Sequence, residues 1–374
     1  MKKISLIFGT RPEAIKLCPL VLALKDNRDF EPHVCITAQH REMLDEVLDV
    51  FCVTPDADLN LMKPNQALPD LTCRAISAID KYLCLYKPDF VFVQGDTTTT
   101  FCASLAAFYH QIPIGHVEAG LRTWDSLSPF PEEMNRVLTT HLANYHFAPT
   151  QTAKENLLCE GIPEDRIYVT GNTVIDALQT AVDMVRQKPP EILCLPPELM
   201  NGQSNRPLVL ITSHRRENFN RGLESICEAI LTLTKTFPEA AFVYPVHMNP
   251  NVAEPASRLL GSRRNIYLIR PLPYLQFVAL MTRSTLILTD SGGIQEEATI
   301  LRKPVLIMRD TTERPEAVEA GTAKLVGTNS DSIVESVYES LTSAEEYAPL
   351  ANGVSPYGDG HACERIVKVI QEII

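Results

Sequence analysis

The chain has 374 residues, of which 45% are hydrophobic and 21% charged, with a formal net charge of −12. That length suggests about two domains at roughly 100–200 residues each, and the composition excludes a disordered chain. The acidic balance argues against a nucleic-acid or anionic-membrane binder, and no apolar run approaches the ~18 residues that would span a bilayer.

The N-terminal apolar run, residues 4–8, is too short for a signal peptide and meets Arg11 and Glu13 almost at once, so a soluble, cytoplasmic protein is expected. Of the ten cysteines the closest pair, Cys73 and Cys84, is eleven residues apart, and no C-x-x-C occurs. Most, including Cys35, Cys84, Cys102 and Cys227, sit in apolar stretches and are expected to be reduced core residues rather than zinc ligands or a disulfide framework.

Along the chain, short apolar β-rich runs alternate with segments of helical period, the pattern of α/β layers on a parallel sheet. Strands are predicted at 4–8, 33–37, 90–94, 114–117, 145–148 and 167–170, with helices at 14–25, 41–51, 71–86 and 98–109 between them. Residues 187–207 hold Pro189, Pro190, Pro196, Pro197 and Pro207 and read as an irregular connection. A second set of strands follows at 208–212, 242–246, 266–269, 286–289 and 305–308, with a helix at 223–236. The last residues, 362–374, form an amphipathic helix after Pro356-Tyr357-Gly358-Asp359-Gly360. Two tandem α/β, Rossmann-like domains are expected.

The polar clusters fall at the carboxyl ends of the predicted strands, where open α/β sheets bind ligands. The first strand ends in Gly9-Thr10-Arg11-Pro12-Glu13, followed by a helix carrying Lys16. Helix N–H groups with Arg11 and Lys16 would suit a phosphate, the alternative being an ordinary βα turn with surface charges. In the second half, Asp290-Ser291-Gly292-Gly293 repeats the logic, and Glu296-Glu297 stands one turn into the next helix, placed for a ribose diol. Favourable charge near a helix N-terminus would by itself explain one of those two glutamates. Arg309-Asp310-Thr311-Thr312-Glu313-Arg314-Pro315-Glu316 packs five charged side chains after the next strand, with Arg314 the candidate phosphate ligand. Ser213-His214-Arg215-Arg216-Glu217-Asn218 offers a histidine and two arginines in the same setting.

Three acidic positions stand out in the first half. Asp96 and Glu118 end neighbouring strands, and Glu132 lies one turn before Arg136, which could hold it ionised. Carboxylates held close in an enclosed site have pKa values pushed apart, so one can act as base and another as acid. Glu133 reads as a cap or surface pair. Nothing matches G-x-G-x-x-G, a P-loop, a serine nucleophile elbow or a metal cluster, so the chemistry points to proton transfer on a substrate that brings its own diphosphate.

These residues also carry a resemblance. Phe8-Gly9-Thr10-Arg11-Pro12-Glu13-Ala14-Ile15-Lys16, Thr37-Ala38-Gln39-His40-Arg41, Gly95-Asp96-Thr97-Thr98-Thr99-Thr100, Gly115-His116-Val117-Glu118-Ala119-Gly120-Leu121-Arg122 and His214-Arg215-Arg216-Glu217-Asn218 occur in order along the chain. With the two clusters of the second half, they resemble the bacterial non-hydrolysing UDP-N-acetylglucosamine 2-epimerases essentially end to end. The resemblance implies a GT-B-like fold with the site in a cleft between the domains and the C-terminal helix returning to the first. The implied bounds are 1–171 plus 360–374, bearing the sugar-side carboxylates, and 172–359, binding UDP. It also implies a homodimer interconverting UDP-N-acetylglucosamine and UDP-N-acetylmannosamine through 2-acetamidoglucal, with no NAD, metal or other cofactor; the alternatives are a hydrolysing epimerase that releases UDP and N-acetylmannosamine, or a GT-B glycosyltransferase sharing the fold. By the match, Arg11, Lys16, His214, Phe277, Ser291, Gly292, Gly293, Glu297 and Arg314 contact UDP. Asp96, Glu118, Glu132, Arg136 and His214 surround the sugar and its proton transfers. Gln39, His40, Glu132 and His247 would line an allosteric UDP-N-acetylglucosamine site.

Overall fold

The computed structural model describes the chain except residues 39–40, 62–65, 201–204, 214, 216–217, 220, 262, 311, 313 and 344–354, and the side chains of 41–42. The chain divides into two compact units, Met1–Gln179 with Tyr357–Ile374, and Thr180–Pro356.

In the first unit β1 (Lys2–Phe8), α1 (Arg11–Lys25), β2 (Phe30–Ile36), α2 (Arg41–Val50) and β3 (Ala57–Asp58) are followed by α3 (Leu68–Tyr86), β4 (Phe90–Gln94), α4 (Thr98–Tyr109) and β5 (Ile114–Val117). Then come α5 (Glu132–Leu142), β6 (Tyr145–Ala148), α6 (Gln151–Cys159), β7 (Ile167–Val169) and α7 (Thr173–Gln187), within which the division between the units falls. Among the described residues the seven strands form one parallel sheet in the order β3-β2-β1-β4-β5-β6-β7. The central strands are apolar and buried on both faces, as a sheet covered by helices on both sides requires. The order reverses between β1 and β4, and the crevice beyond the carboxyl ends at such a reversal is where doubly wound sheets bind ligands.

The second unit repeats the design. It contains α8 (Pro197–Met200), β8 (Leu208–Thr212), α9 (Arg221–Thr236), β9 (Ala241–Pro245), α10 (Pro250–Leu260), β10 (Ile266–Ile269) and α11 (Tyr274–Arg283). After these come β11 (Leu286–Thr289), α12 (Gly292–Ile300), β12 (Val305–Ile307), α13 (Pro315–Glu319), β13 (Ala323–Leu325) and α14 (Ser330–Thr342). The six strands pair in parallel in the order β10-β9-β8-β11-β12-β13, with the reversal between β8 and β11.

The terminal helix α15 (Ala362–Ile373) belongs to the first unit, where it packs on α1. Its first N–H groups have no partner within the helix, and the Asp176 carboxylate on α7 accepts them from Ala362 at 3.2 Å and Cys363 at 2.9 Å. Gly171 and Gly358 meet so closely that a β-carbon on Gly358 would stand 3.1 Å from the Gly171 α-carbon. No described helix is long and apolar enough to cross a membrane.

The turn between β1 and α1 is fastened from inside. Thr10 is the N-cap of α1, and Glu13 at the third helical position reaches back to the N–H groups of Gly9 at 3.0 Å and Thr10 at 2.7 Å. The other carboxylate oxygen accepts from the hydroxyls of Thr97 at 2.6 Å and Thr100 at 3.2 Å, tying this turn to the start of α4. Gly9 is required by packing rather than by its own dihedrals, since a β-carbon there would fall 1.9 Å from Thr37 Oγ1. Glu13→Ala should lower the unfolding free energy by about 2–4 kcal/mol in urea denaturation, because four donors lose one buried acceptor group; a loss below about 0.5 kcal/mol would contradict this role.

Candidate active site

In the first unit the carboxyl ends of β1, β4 and β5 bring together groups far apart in sequence. Glu118 leaves β5 in the left-handed region, at φ +62°, a conformation that costs a non-glycine residue about 1–2 kcal/mol. The turn aims its side chain back across the sheet edge, where it is buried. There Oε1 accepts from Lys16 Nζ at 2.5 Å and Asn172 Nδ2 at 2.9 Å, and Oε2 accepts from Gln94 Nε2 at 2.5 Å. Lys16 reaches it from the second turn of α1, so a buried cation and a buried anion neutralise each other. Gly95 turns beside it at φ +70°, its β-position 3.4 Å from Glu118 Oε2.

Asp96 follows that glycine and is the more open carboxylate, its side chain 32% exposed. Asn135 Nδ2 donates to its carbonyl at 2.9 Å, and Arg136 Nη1 donates to its carboxylate at 3.0 Å. Arg136 is fixed in turn by Glu133, which accepts from its Nε at 2.8 Å and from the N–H groups of Thr123 and Trp124 at 3.1 Å. The buried face of α5 carries Glu133, Asn135, Arg136, Thr139 and Thr140, so Arg136 pairs with Glu133 and not with the half-buried Glu132 at the first turn. Glu133, expected at the surface, is a buried support of the cluster. Arg136 Nη2 is buried with no hydrogen-bond partner. Arg11 stands half-buried as the first residue of α1. Lys16, Asp96, Glu118 and Arg136 therefore share one sheet edge, with Glu132 and Arg11 at the adjoining helix starts.

Beneath the cluster His116 is fully buried, and its Nε2 donates to the Gly95 carbonyl at 2.8 Å, while Nδ1 has no partner. Burial pushes its pKa down to about 4, and that of His146, its neighbour on β6, down to about 3. Both imidazoles are neutral near pH 7.

In the second unit the buried Asp290 organises the edge. Its Oδ2 accepts from Ser213 Oγ at 2.9 Å, Arg215 N–H at 3.0 Å and Asn218 Nδ2 at 3.0 Å, so the chain after β8 is fastened to the end of β11. Ser291 is the N-cap of α12 and its side chain makes no capping bond. Gly292 and Gly293 open the helix, and a β-carbon on Gly293 would meet no atom within 4 Å, so no internal packing demands a glycine there. Glu296, fully buried, holds Arg314 through a 2.6 Å bond to Nε, which orients the arginine at the start of α13. Glu296 is thereby structural, and Glu297 lies beside it, also buried. Phe277 is half-buried on α11, and His247 is exposed after β9. His214, Gln39 and His40 lie outside the described residues.

Two doubly wound units of this kind place the chain in the GT-B-like class of α/β folds. A sequence model described as UDP-N-acetylglucosamine 2-epimerase matches residues 22–371. The chain is 55% identical to a UDP-N-acetylglucosamine 2-epimerase of Yersinia pestis, over 99% of its length and 98% of that protein's. It is 54% identical to the Escherichia coli K12 enzyme of the same name, with the same coverage. Superposed on the crystal structure of Neisseria meningitidis UDP-GlcNAc 2-epimerase bound to UDP-GlcNAc, it gives a TM-score of 0.92 at 51% identity, covering 99% of this chain and 100% of that one. The chain belongs to the UDP-N-acetylglucosamine 2-epimerase family.

The depressed histidine pKa values carry a stability consequence. Below about pH 6.5 the unfolded chain takes up protons at His116 and His146 that the folded protein refuses until about pH 4 and about pH 3. Stability should therefore fall with pH through that window, by at most about 1.4 kcal/mol per pH unit for each histidine. His146→Gln should flatten the slope measured by urea denaturation between pH 6.5 and 4; an unchanged slope would contradict the assignment.

Proposed function

We propose that this protein interconverts UDP-N-acetylglucosamine and UDP-N-acetylmannosamine without net hydrolysis, by eliminating UDP and adding it back. The observation that carries the reading is the convergence of Asp96, Glu118, Lys16 and Arg136 at the switch point of the first sheet, in a chain of this family.

The C2 proton of the sugar is not acidic in the ground state. It becomes so as the bond from C1 to the UDP oxygen lengthens and C1 gains cationic character. A carboxylate then takes the C2 proton while the electron pair of the C1–O bond leaves with UDP, giving 2-acetamidoglucal. UDP adds back at C1 as a proton arrives on the opposite face of C2. Asp96, the more exposed carboxylate, is assigned with Glu132 to these transfers, and Arg136 pairs with Asp96 and fixes its position. Glu118, held by Lys16, is read as the polar wall against the sugar, and His214 as a further contact. The first unit thus bears the sugar chemistry.

UDP is assigned to Ser291, Gly292, Gly293, Glu297, Phe277 and Arg314 of the second unit, with Arg11 as a further cation and Lys16 as a contact whose charge Glu118 already balances. The open space at Gly293 and the uncapped α12 start support a diphosphate there. The orientation of Arg314 by Glu296 supports a preorganised contact to the leaving anion. Retaining UDP is what separates epimerisation from hydrolysis, because a leaving group that diffuses away cannot return. No cofactor or metal is required by this scheme. The same reading gives UDP-N-acetylglucosamine a second role as activator near Gln39, His40 and His247. It also makes the protein a cytoplasmic homodimer, supported by Phe108, Tyr109 and Leu138, which stand exposed on the packed pair α4 and α5. The product would supply N-acetylmannosamine units to surface polysaccharide synthesis.

Incubation with UDP-N-acetylglucosamine in D2O should place deuterium at C2 and yield both UDP-sugars, with EDTA without effect. Free UDP and free N-acetylmannosamine as main products would instead establish a hydrolysing enzyme. Asp96→Asn should abolish the exchange while UDP still binds; exchange at the wild-type rate in that variant would remove Asp96 from the chemistry.

A further inference from the structure

Cys84, expected among core cysteines, is exposed. The buried face of α3 is filled by Leu71, Ala75, Ile79, Tyr82 and Leu83, which leaves Asp80 and Cys84, four residues apart, on one outward stripe. His110, the C-cap of α4, stands against that stripe. Its Nε2 lies 2.7 Å from Asp80 Oδ1 and 3.9 Å from Cys84 Sγ, and the donor atoms of the three side chains all fall within 4.8 Å of one another. We propose that Asp80, Cys84 and His110 form a binding site for a zinc-class transition-metal ion.

The alternative for a cysteine, a histidine and an aspartate is a nucleophilic relay. That would need the thiol on one ring nitrogen and the carboxylate on the other. Here both partners face the same nitrogen, so the imidazole cannot pass a proton from one to the other. Oxygen, nitrogen and sulfur instead converge on a common point. Tetrahedral zinc, with bonds of about 2.0–2.3 Å, sets its ligand atoms roughly 3.4–3.6 Å apart. The Asp80–His110 pair would open by about 0.7 Å and the Cys84–His110 pair close by about 0.3 Å, changes within reach of surface side-chain rotations. The mixed S, N, O donor set favours zinc and its neighbours over magnesium or calcium, and water would complete the coordination.

The site is separate from the reaction. Helices α3 and α4 end just before β4 and β5 begin, so their last turns lie at the opposite edge of the sheet from Asp96 and Glu118. Metal binding can therefore be read without reference to turnover.

Zinc titrated into the metal-free full-length protein by calorimetry, with cobalt absorption to report a thiolate ligand, provides the test. Saturable binding of one equivalent per chain with a cobalt–thiolate band is expected. Cys84→Ser and His110→Ala should each weaken it at least about tenfold while the variants stay folded by circular dichroism. Binding lost in Cys84→Ser but retained in His110→Ala would show capture by a bare thiol and overturn the site. So would the absence of saturable binding below about 1 mM zinc.

Discussion

Glu118 is where the first unit's sheet edge becomes a site. Its left-handed backbone turns the carboxylate inward, and Lys16 from α1, Gln94 from the end of β4 and Asn172 from the start of α7 close on it. Three segments distant in sequence are thereby fixed to one pair of oxygens. Removing one partner of such a buried ion pair leaves an uncompensated charge and typically costs about 3–5 kcal/mol, so the ion pair, once formed, defines where the loops after β1, β4 and β5 must stand. Asp96 inherits its position from this arrangement through Gly95, whose carbonyl is held from below by neutral His116.

Asp290 performs the corresponding task in the second unit, at the equivalent reversal of strand order. It takes donors from Ser213, Arg215 and Asn218 and so joins the loops after β8 and β11. Glu296 then anchors Arg314 from the following loop. In both units a buried carboxylate at the carboxyl edge of the sheet, Glu118 or Asp290, ties the loops around it together. That division of labour suits a reaction in which positioned charge, rather than a cofactor, carries the chemistry.

The strands were legible in the sequence because their apolar runs are continuous, as double-sided burial demands, and the polar clusters marked their carboxyl ends. The two-residue β3 and the β13 run, which Lys324 interrupts at its middle residue, show no such continuous apolar stretch. Single residues at strand ends, Asp96 and Glu118, stood out as charges that interrupt apolar runs. Their supports did not: Gln94 and Asn172 are ordinary polar residues until the fold brings them to Glu118. Partner choice also escaped the sequence. Glu132 and Glu133 are both within a helical turn of Arg136, and only the buried face of α5 selects Glu133. The ion pair to Arg314 likewise appears only in the fold and singles out Glu296, and exposure sets Cys84 apart from the cysteines of the core.

In the proposed reaction the bond between C1 and the UDP oxygen breaks and re-forms with UDP retained. UDP-N-acetylglucosamine labelled with oxygen-18 at that bridging position tests it most directly. If UDP leaves and returns, rotation of the freed β-phosphate must spread the label from the bridging to the non-bridging β-oxygens in recovered UDP-sugar, at a rate comparable with C2 inversion. C2 inversion with the label still entirely in the bridging position would contradict the account.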